Sequence, residues 1–230
     1  MSKIIVIIPA FNEEQSIKYV IDDIPKTIVQ EVIVVNNNST DGTAGVAKSA
    51  GATVLFEPSM GYGYACLKGM EYVAQNNLNP DIIVFLDGDY SDFPEQITEV
   101  IQPILKNDMD LVIGSRNNAE RGKHAITPQQ IFGNWLATFL MKLLFNANFT
   151  DLGPFRAIKY QKLLSLNMSD KTYGWTVEMQ LKAIKNNFRY TEVPVKYRER
   201  IGVSKVSGTI KGTIFAGIKI LSWIFKYSLK

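Results

Sequence analysis

Short apolar runs alternate with helical patterns along the first half of the chain, and this alternation constrains the fold more than any other feature. The runs predict strands at 3–9, 31–36, 52–56, 81–87 and 109–114, and the segments between them predict helices at 13–24, 41–50, 62–76 and 94–106. Strands separated by helices are typical of βαβ units with a mostly parallel sheet. Runs such as KIIVIIP and DIIVFLD are apolar almost throughout, as expected where helices cover both faces of the sheet. The sequence therefore predicts an α/β fold.

Four polar segments follow these predicted strands, at 9–14, 36–42, 87–94 and 114–128. The segments share no motif, so the sequence gives no sign of an internal repeat. Open α/β sheets bind ligands at the carboxyl ends of their strands, which meet at one edge of the sheet. We therefore expect the four segments to surround one ligand site.

The segment DGDYSDFPE carries the clearest chemical signal. Asp87 and Asp89 leave the strand IIVFL at the ligand edge, where two carboxylates repel each other unless a cation or a ligand compensates. Hard divalent cations prefer carboxylate and phosphate oxygens, so the pair predicts a Mg²⁺ or Mn²⁺ site that holds a diphosphate. The alternative is that both carboxylates are solvated and that Asp92 caps the helix that begins near Pro94.

A strongly apolar helix is predicted at 129–146, where Lys142 is the only charged residue. Such a composition is unusual for an exposed helix of a soluble domain. A further helix is predicted at 174–186 and a strand at 188–195.

The segment 208–230 predicts an amphipathic, basic helix. Lys211, Lys219, Lys226 and Lys230 fall on one arc of a helical wheel, and most of the apolar residues lie elsewhere. The apolar stretch is shorter than the ~20 residues that a membrane span needs, so a helix lying in the membrane interface is favoured. Docking of this helix on its own domain is the alternative.

Length and composition support one main folded unit. The 230 residues are 46% hydrophobic, which is sufficient for one large core. The net charge is +3, and no run of like charge indicates a nucleic-acid-binding arm. Cys66 is the only cysteine, which excludes a disulfide framework, and packing is favoured over a nucleophilic role. His124, the only histidine, is expected to be a surface or acceptor-loop residue, with a catalytic base as the alternative.

Five motifs along the chain resemble those of the family 2 glycosyltransferases, specifically the branch of dolichyl-phosphate mannose and glucose synthases. They are IPAFNEE, VVNNNSTDGT, FLDGDYSDFPE, IGSR and EVPVKYRERIGVSKVSGT. The resemblance covers nearly the whole chain. It implies a single GT-A domain at 1–207, with a Rossmann-like, mostly parallel sheet and helices on both faces, followed by an amphipathic membrane-interface helix at 208–230.

The resemblance also implies a role for individual residues. Contacts with the nucleotide sugar are implied for Pro9, Ala10, Glu13, Asn36, Asn37, Asp41 and Asp87. Contacts with a divalent cation, Mg²⁺ or Mn²⁺, are implied for Asp87, Asp89 and Ser91. Binding of the acceptor or of phosphates is implied for Arg116, Arg156, Arg200, Ser204 and Lys205. Catalytic roles are assigned to Asp89, Arg116 and Arg200, with Glu178 as a further candidate.

The chain departs from the family pattern at four positions. Asn36 and Asn37 stand where the family has an acidic pair, and the base preference stays open because an amide donates as well as accepts hydrogen bonds. Ser91 stands where the lipid-phosphate branch often has Gln, although a serine can still hold a metal-bound water. Pro154 replaces the usual glycine in TDLGPFR, which leaves the geometry of that loop open.

Glu178, in YGWTVEMQ, has two interpretations. Its carboxylate either faces the sugar or lies on a helix surface, where it pairs with Lys182 one turn away.

These inferences predict an inverting, metal-dependent enzyme that moves glucose or mannose from UDP-glucose or GDP-mannose to a polyprenyl or dolichyl phosphate. The acceptor phosphate is already anionic near neutral pH, so no strong catalytic base is required. We expect a peripheral location on the cytoplasmic face of the membrane and no nucleic-acid partner, and the oligomeric state stays open. One alternative is a soluble, cell-surface glycan or other lipid acceptor. The other is a non-catalytic module that binds a nucleotide sugar.

Overall fold

The computed structural model describes residues 2–116, 122, 125–203 and 210–229. Within these ranges the chain forms one sheet of seven strands with helices on both faces. The strands are β1 (Ile4–Ala10), β2 (Val29–Asn36), β3 (Thr53–Phe56), β4 (Ile82–Phe85), β5 (Leu111–Ser115), β6 (Arg156–Lys159) and β7 (Tyr190–Pro194). The helices are α1 (Ile17–Asp23), α2 (Thr43–Ser49), α3 (Tyr62–Gln75), α4 (Ile97–Asn107), α5 (Pro128–Phe145), α6 (Tyr160–Ser165), α7 (Trp175–Lys185) and α8 (Ile210–Ser228), and a short 3₁₀ helix (Pro94–Gln96) precedes α4.

The strand order is β3-β2-β1-β4-β6-β5-β7. Every neighbouring pair is parallel except the two that involve β6, so the predicted mostly parallel sheet is confirmed. Neither β6 nor α6 was predicted from the sequence. The strand is only four residues long, and the charged Arg156 and Lys159 at its ends disguise the apolar pattern. Arg156 pairs with Phe85, so β6 begins at the edge of the sheet where β4 ends.

Two hydrophobic cores lie on opposite faces of the sheet. Along β1, Ile5 and Ile7 pack with α3 and α5–α8, whereas Val6 and Ile8 pack with α1, α2 and α4. Successive side chains of a strand point to opposite faces, so a strand between two helical layers is apolar at every position. Each fully buried isoleucine contributes roughly 1.5–3 kcal/mol relative to an exposed one. Burial on both faces thus explains the continuous apolar runs. It leaves the ends of the strands as the part of the sheet where a ligand can bind.

Helix α5 has well-defined ends and one buried face. Thr127 and Gln130 form a capping box, in which each side chain bonds the main-chain N–H of the other residue. The helix ends at Asn146, which adopts a left-handed conformation with φ 53°. Ala137, Thr138 and Met141 are buried, whereas several large apolar side chains of the same helix are exposed, namely Ile131, Phe132, Trp135, Phe139, Leu143 and Leu144. No helix in the described part of the chain is long and apolar enough to cross a membrane.

Helix α8 docks on the rest of the molecule, as expected from the alternative interpretation of the segment 208–230. Trp223 and Ile224 are buried in the same core as α5 and α7. The Lys219 Nζ lies 3.1 Å from an oxygen of Asp170, and the Lys226 Nζ lies 4.6 Å from the centre of the Trp223 ring. These two lysines therefore contact other groups of the protein. The exposed large apolar side chains of α8 are Ile214, Phe215, Ile218 and Phe225.

Candidate functional site

The carboxylates of Asp87 and Asp89 lie at the ligand edge of the sheet, just beyond β4, and both residues line a cavity of about 1410 Å³. One oxygen of Asp87 is buried and has no hydrogen-bond partner. Burial and, secondarily, the neighbouring Asp89 raise the pKa of Asp87 to about 7. An unpartnered carboxylate oxygen next to a second carboxylate fits a divalent cation, which would favour the charged form of both.

Asp89 is held in place by its neighbours. Its Oδ1 accepts hydrogen bonds from the main-chain N–H of Ser91 at 2.9 Å and from the Ser91 hydroxyl at 2.5 Å. Its Oδ2 lies 2.7 Å from the guanidinium of Arg200. The Ser91 side chain is buried and does not line the cavity, so in this structure Ser91 orients Asp89. No group of three or more His, Cys, Asp or Glu side chains suited to a metal occurs in the described residues, so a cation here would need phosphate or water oxygens as well.

Asp92 does not cap a helix, so that part of the alternative is wrong. The residue before the 3₁₀ helix is Phe93, and no side chain caps it. Asp92 is instead buried beneath the site, with no hydrogen-bond partner on either carboxylate oxygen. Burial and, secondarily, Asp87 raise the pKa of Asp92 well above its ordinary value. Sequence reasoning missed this placement because it depends on Tyr197, whose main chain bridges to Asp92 from beyond β7.

Two arginines line the cavity next to the acidic pair. Arg116, directly after β5, makes a two-pronged ion pair with Asp151 at 2.7 and 2.9 Å, and its main-chain N–H donates to the same carboxylate. Although burial opposes it, Arg116 holds the pKa of Asp151 below its ordinary value. Arg116 also stacks on the Tyr197 ring at 5.1 Å. Arg200 contacts Asp89, as described above, so the structure brings three predicted residues together: Asp89, Arg116 and Arg200.

The predicted nucleotide-sugar residues divide into two groups. Pro9, Ala10, Glu13, Asn37 and Asp87 line the cavity. Asn36 and Asp41 do not, although both were predicted to contact the donor.

Three polar side chains on this side of the sheet stabilise loops. The Asn37 amide donates to the carbonyls of Glu57 and Ser59, and its oxygen accepts from the N–H of Gly61. Because both amide hydrogens are used, Asn37 holds the segment 57–61 against the sheet. Asn36 accepts from the N–H of Ser39, and Asp41 accepts from the N–H groups of Thr43 and Glu14.

Arg156 lies in the core, and its predicted contact with phosphate is wrong for this structure. The side chain is fully buried, and its guanidinium donates to the carbonyls of Leu152, Gly153 and Thr176. Burial lowers the pKa of Arg156 to about 10. Its donors therefore hold the segment before β6 against the start of α7.

Glu178 matches neither interpretation in full. Its carboxylate is fully buried and accepts hydrogen bonds from the N–H groups of Ser169 and Asp170 and from the Ser169 hydroxyl at 2.7 Å. Pairing with Lys182 is confirmed at 2.8 Å, but the pair lies in the interior and not on the helix surface. Glu178 does not line the cavity, so the prediction that it faces the sugar is wrong.

Two tyrosines that sequence reasoning did not select also line the cavity. Tyr62, the first residue of α3, has a buried hydroxyl without a hydrogen-bond partner, and burial followed by the charge of Asp87 raises its pKa well above the ordinary value. Tyr197 carries the Arg116 guanidinium on its ring. Tyr197 lies within the motif EVPVKYRERIGVSKVSGT, whereas Tyr62 belongs to none of the five motifs. The predicted residues Ser204, Lys205 and His124 lie outside the part of the chain that the structure describes.

The far wall of the cavity is apolar. Phe132, Trp135 and Phe139 of α5 line it, and the Trp135 and Phe139 rings stack at 5.6 Å. Ile220 and Leu221 of α8 complete this wall. One continuous cavity thus reaches from the acidic pair to the groove between α5 and α8.

The sheet, the acidic pair and the arginines at its ligand edge define an α/β protein of the nucleotide-diphospho-sugar transferase type. The family model described as "Glycosyl transferase family 2" matches residues 5–165. The chain therefore belongs to glycosyltransferase family 2, and the predicted family and enzyme class are confirmed.

Curated relatives match along most of the chain. An uncharacterised glycosyltransferase of Mycobacterium tuberculosis is 32% identical over 92% of this chain and 93% of its own length. An undecaprenyl-phosphate mannosyltransferase of Micrococcus luteus is 28% identical over 96% of this chain and 93% of its own length. Among solved structures, glucosyl-3-phosphoglycerate synthase of M. tuberculosis, in complex with Mn²⁺, UDP and phosphoglyceric acid, matches with a TM-score of 0.80 and 21% identity. That match covers 99% of this chain and 78% of the synthase, and it confirms the fold.

Proposed function

We propose that this glycosyltransferase moves a hexose, with inversion, from a nucleoside-diphosphate sugar to a polyprenyl phosphate at a membrane surface. The observation that carries the proposal is the continuous cavity, which joins the acidic pair and two arginines to an apolar wall made by α5 and α8. A polar substrate fits the first part and a prenyl chain fits the second. The similarity to an undecaprenyl-phosphate mannosyltransferase supports the same acceptor class.

In the proposed reaction, an oxygen of the acceptor phosphate forms a bond to the anomeric carbon of the hexose. The bond between that carbon and the β-phosphate oxygen breaks, and the nucleoside diphosphate leaves. Asp87 and Asp89 would hold a Mg²⁺ or Mn²⁺ ion, which when bound would supply electrostatic stabilisation of the leaving phosphates. The glucosyl-3-phosphoglycerate synthase of similar fold was crystallised with Mn²⁺ and with Mg²⁺, which supports this choice of ion.

The arginines stabilise the remaining negative charge. The Arg200 side chain is 27% exposed while it contacts Asp89, and it lines the cavity beside Asp87, where the donor phosphates are proposed to bind. Asp151 and Tyr197 hold the Arg116 side chain in place, so its charge stays at the cavity wall. Because the side chain is already ordered, no further conformational entropy has to be lost during the reaction. We assign Arg200 to the donor phosphates and Arg116 to the acceptor phosphate.

The acceptor itself removes the need for a strong base. A phosphate monoester is already anionic near neutral pH, so no proton has to leave before the attack. The position of Glu178 fits this chemistry, because its carboxylate is committed to the main chain of residues 169 and 170 and to Lys182.

The exposed apolar side chains of α5 and α8 form the surface that we propose for contact with the bilayer. We define this membrane surface by Phe132, Trp135, Phe139, Ile214, Phe215, Ile218 and Phe225. A patch of this kind on a soluble protein marks an interaction site. It borders the apolar end of the cavity, so a prenyl chain that leaves the bilayer would meet apolar side chains before the polar part of the cavity.

The decisive experiment incubates the purified protein with Mn²⁺, a polyprenyl phosphate in vesicles, and labelled UDP-glucose or GDP-mannose in parallel. We expect a lipid-linked hexose with inverted anomeric configuration, formed only when the cation is present. A parallel reaction offers phosphoglyceric acid in place of the lipid. A product in that reaction, with none on the lipid, would assign a soluble acceptor and overturn the proposal.

A further inference from the structure

Asp170 connects α8 to the loop at 169–174, here named the linking loop. One oxygen of the buried Asp170 carboxylate accepts a hydrogen bond from the Trp223 indole N–H at 2.6 Å and lies 3.1 Å from the Lys219 ammonium. The other oxygen accepts from the N–H groups of Thr172 and Gly174 at 2.8 and 3.0 Å. Although burial opposes it, the hydrogen bond from Trp223 keeps the pKa of Asp170 below its ordinary value. A single carboxylate thus fastens the helix to the loop.

The linking loop also holds the first turn of α3. The N–H of Gly63 donates to the carbonyl of Thr172 at 3.3 Å, and the N–H of Tyr64 donates to the carbonyl of Lys171 at 3.0 Å. A Cβ atom on Gly63 would lie 2.1 Å from the carbonyl oxygen of Asp170, a distance that real side chains do not adopt. The two segments are in direct main-chain contact, so neither moves without the other.

The first turn of α3 belongs to the donor side of the cavity. Met60 and Tyr62 line the cavity together with Asp87, and the N–H of Gly61 donates to Asn37 at the end of β2. The path from α8 to the donor wall therefore contains one carboxylate and one short loop.

We propose that α8 is a structural part of the donor site and that Asp170 is the positioning residue that couples its docking to donor affinity. This inference rests on the proposed function, because it takes the donor to be a nucleoside-diphosphate sugar. It extends that function, since the helix that faces the membrane would also set the shape of the polar end of the cavity. Detachment of α8 is then expected to weaken donor binding without any change in the acidic pair.

The size of the effect follows from the lost hydrogen bond. A hydrogen bond to a buried charge is worth roughly tenfold or more in a local equilibrium. The apparent dissociation constant rises as the competent fraction falls, so we expect donor affinity to drop by up to about tenfold in Trp223→Phe, which keeps an aromatic ring and removes the N–H donor.

The test uses the full chain and compares Trp223→Phe and Lys219→Met with the matched control Ser222→Ala. Ser222 lies on the same helix, and its hydroxyl donates to the carbonyl of Ile218 one turn earlier in that helix. Binding of UDP-glucose and GDP-mannose is titrated in the presence of Mn²⁺ and without lipid. We expect weaker donor binding in the first two variants and wild-type affinity in the control. Equal donor affinity in all three variants would overturn the coupling.

Amide hydrogen exchange supplies a second measurement that does not depend on the donor. The N–H groups of Gly63 and Tyr64 bond to the linking loop, so they should exchange faster in Trp223→Phe than in Ser222→Ala. Unchanged exchange at these two amides would also contradict the coupling. If the wild-type protein binds neither nucleotide sugar while this exchange difference is present, the proposed donor is wrong but the mechanical link between α8 and α3 is supported.

Discussion

Replacing Phe132 by serine gives a direct measure of the proposed membrane surface. The Phe132 side chain is 60% exposed on α5, and Phe56, at the end of β3 and away from the cavity, is 58% exposed. An aromatic side chain offers about 150–250 Å², so the exposed part of Phe132 is roughly 120 Å². At about 25 cal/mol per Å², burial of this area in the bilayer interface contributes roughly 3 kcal/mol. Its loss should weaken vesicle binding by about 100-fold.

The measurement is sedimentation of the protein with vesicles at increasing lipid concentration. Phe132→Ser should need far more lipid for half-maximal binding, whereas the matched variant Phe56→Ser should behave like the wild type. Because the contact is apolar, the difference should persist at high ionic strength, where exposed charges are screened. An equal loss in both variants, or no loss in either, would refute the assignment of this surface.

Three further predictions concern the site and its supports. Asp89→Ala should abolish Mn²⁺-dependent donor binding without unfolding the protein, as judged by titration and circular dichroism, and unchanged turnover would contradict the metal-site proposal. Gly63→Ala should lower the free energy of unfolding by about 1–3 kcal/mol, because the new Cβ would meet the main-chain carbonyl of Asp170. Gly45→Ala is the control on helix α2: its Cβ would have no atom within 4 Å, so the variant should be more stable by up to about 1 kcal/mol. Asp151→Asn should lower the free energy of unfolding by about 3–5 kcal/mol at pH 7, since it leaves Arg116 without its partner.

The pH dependence of Asp151→Asn has a definite sign. The pKa of Asp151 in the folded protein lies below its ordinary value of 3.8. Its contribution to stability is therefore complete above about pH 4 and is lost as the pH falls through the lowered pKa. Acid titration of the free energy of unfolding should be shallower in the variant over this range, and parallel curves would contradict the role of the ion pair.

The strands and helices of the first half could be predicted from sequence because each has a local cause. Strand β1 is apolar at every position since both of its faces are buried, and α3 was predicted within one residue of its observed end. Asp87 and Asp89 could be placed at the ligand edge for the same reason, since they follow a buried strand. By contrast, β6 has only four residues, and its direction depends on pairing with β4 and β5, which no local pattern reveals.

Arg156, Glu178 and Lys219 show what the sequence could not provide. A charged residue at a helix or loop position predicts exposure, but each of these side chains contacts groups supplied by distant segments. Arg156 bonds three main-chain carbonyls, Glu178 bonds the linking loop, and Lys219 pairs with Asp170. Their burial or pairing follows from tertiary packing, so the spacing of charges along the chain carries no sign of it.

Strand β6 runs antiparallel to its neighbours β4 and β5, and this direction shapes the edge of the sheet where Asp87 and Arg116 lie. Because β6 lies between β4 and β5, the ends of these two strands are two strand spacings apart, about 10 Å. Because β6 also begins at this edge, the main chain at 146–155 has to cross it, and Phe149, Asp151 and Pro154 of this crossing line the cavity. In the proposed reaction, this crossing lies beside both the donor at Asp87 and the acceptor phosphate at Arg116. If the proposed function holds, the length of this crossing sets how closely the two phosphorylated substrates approach each other.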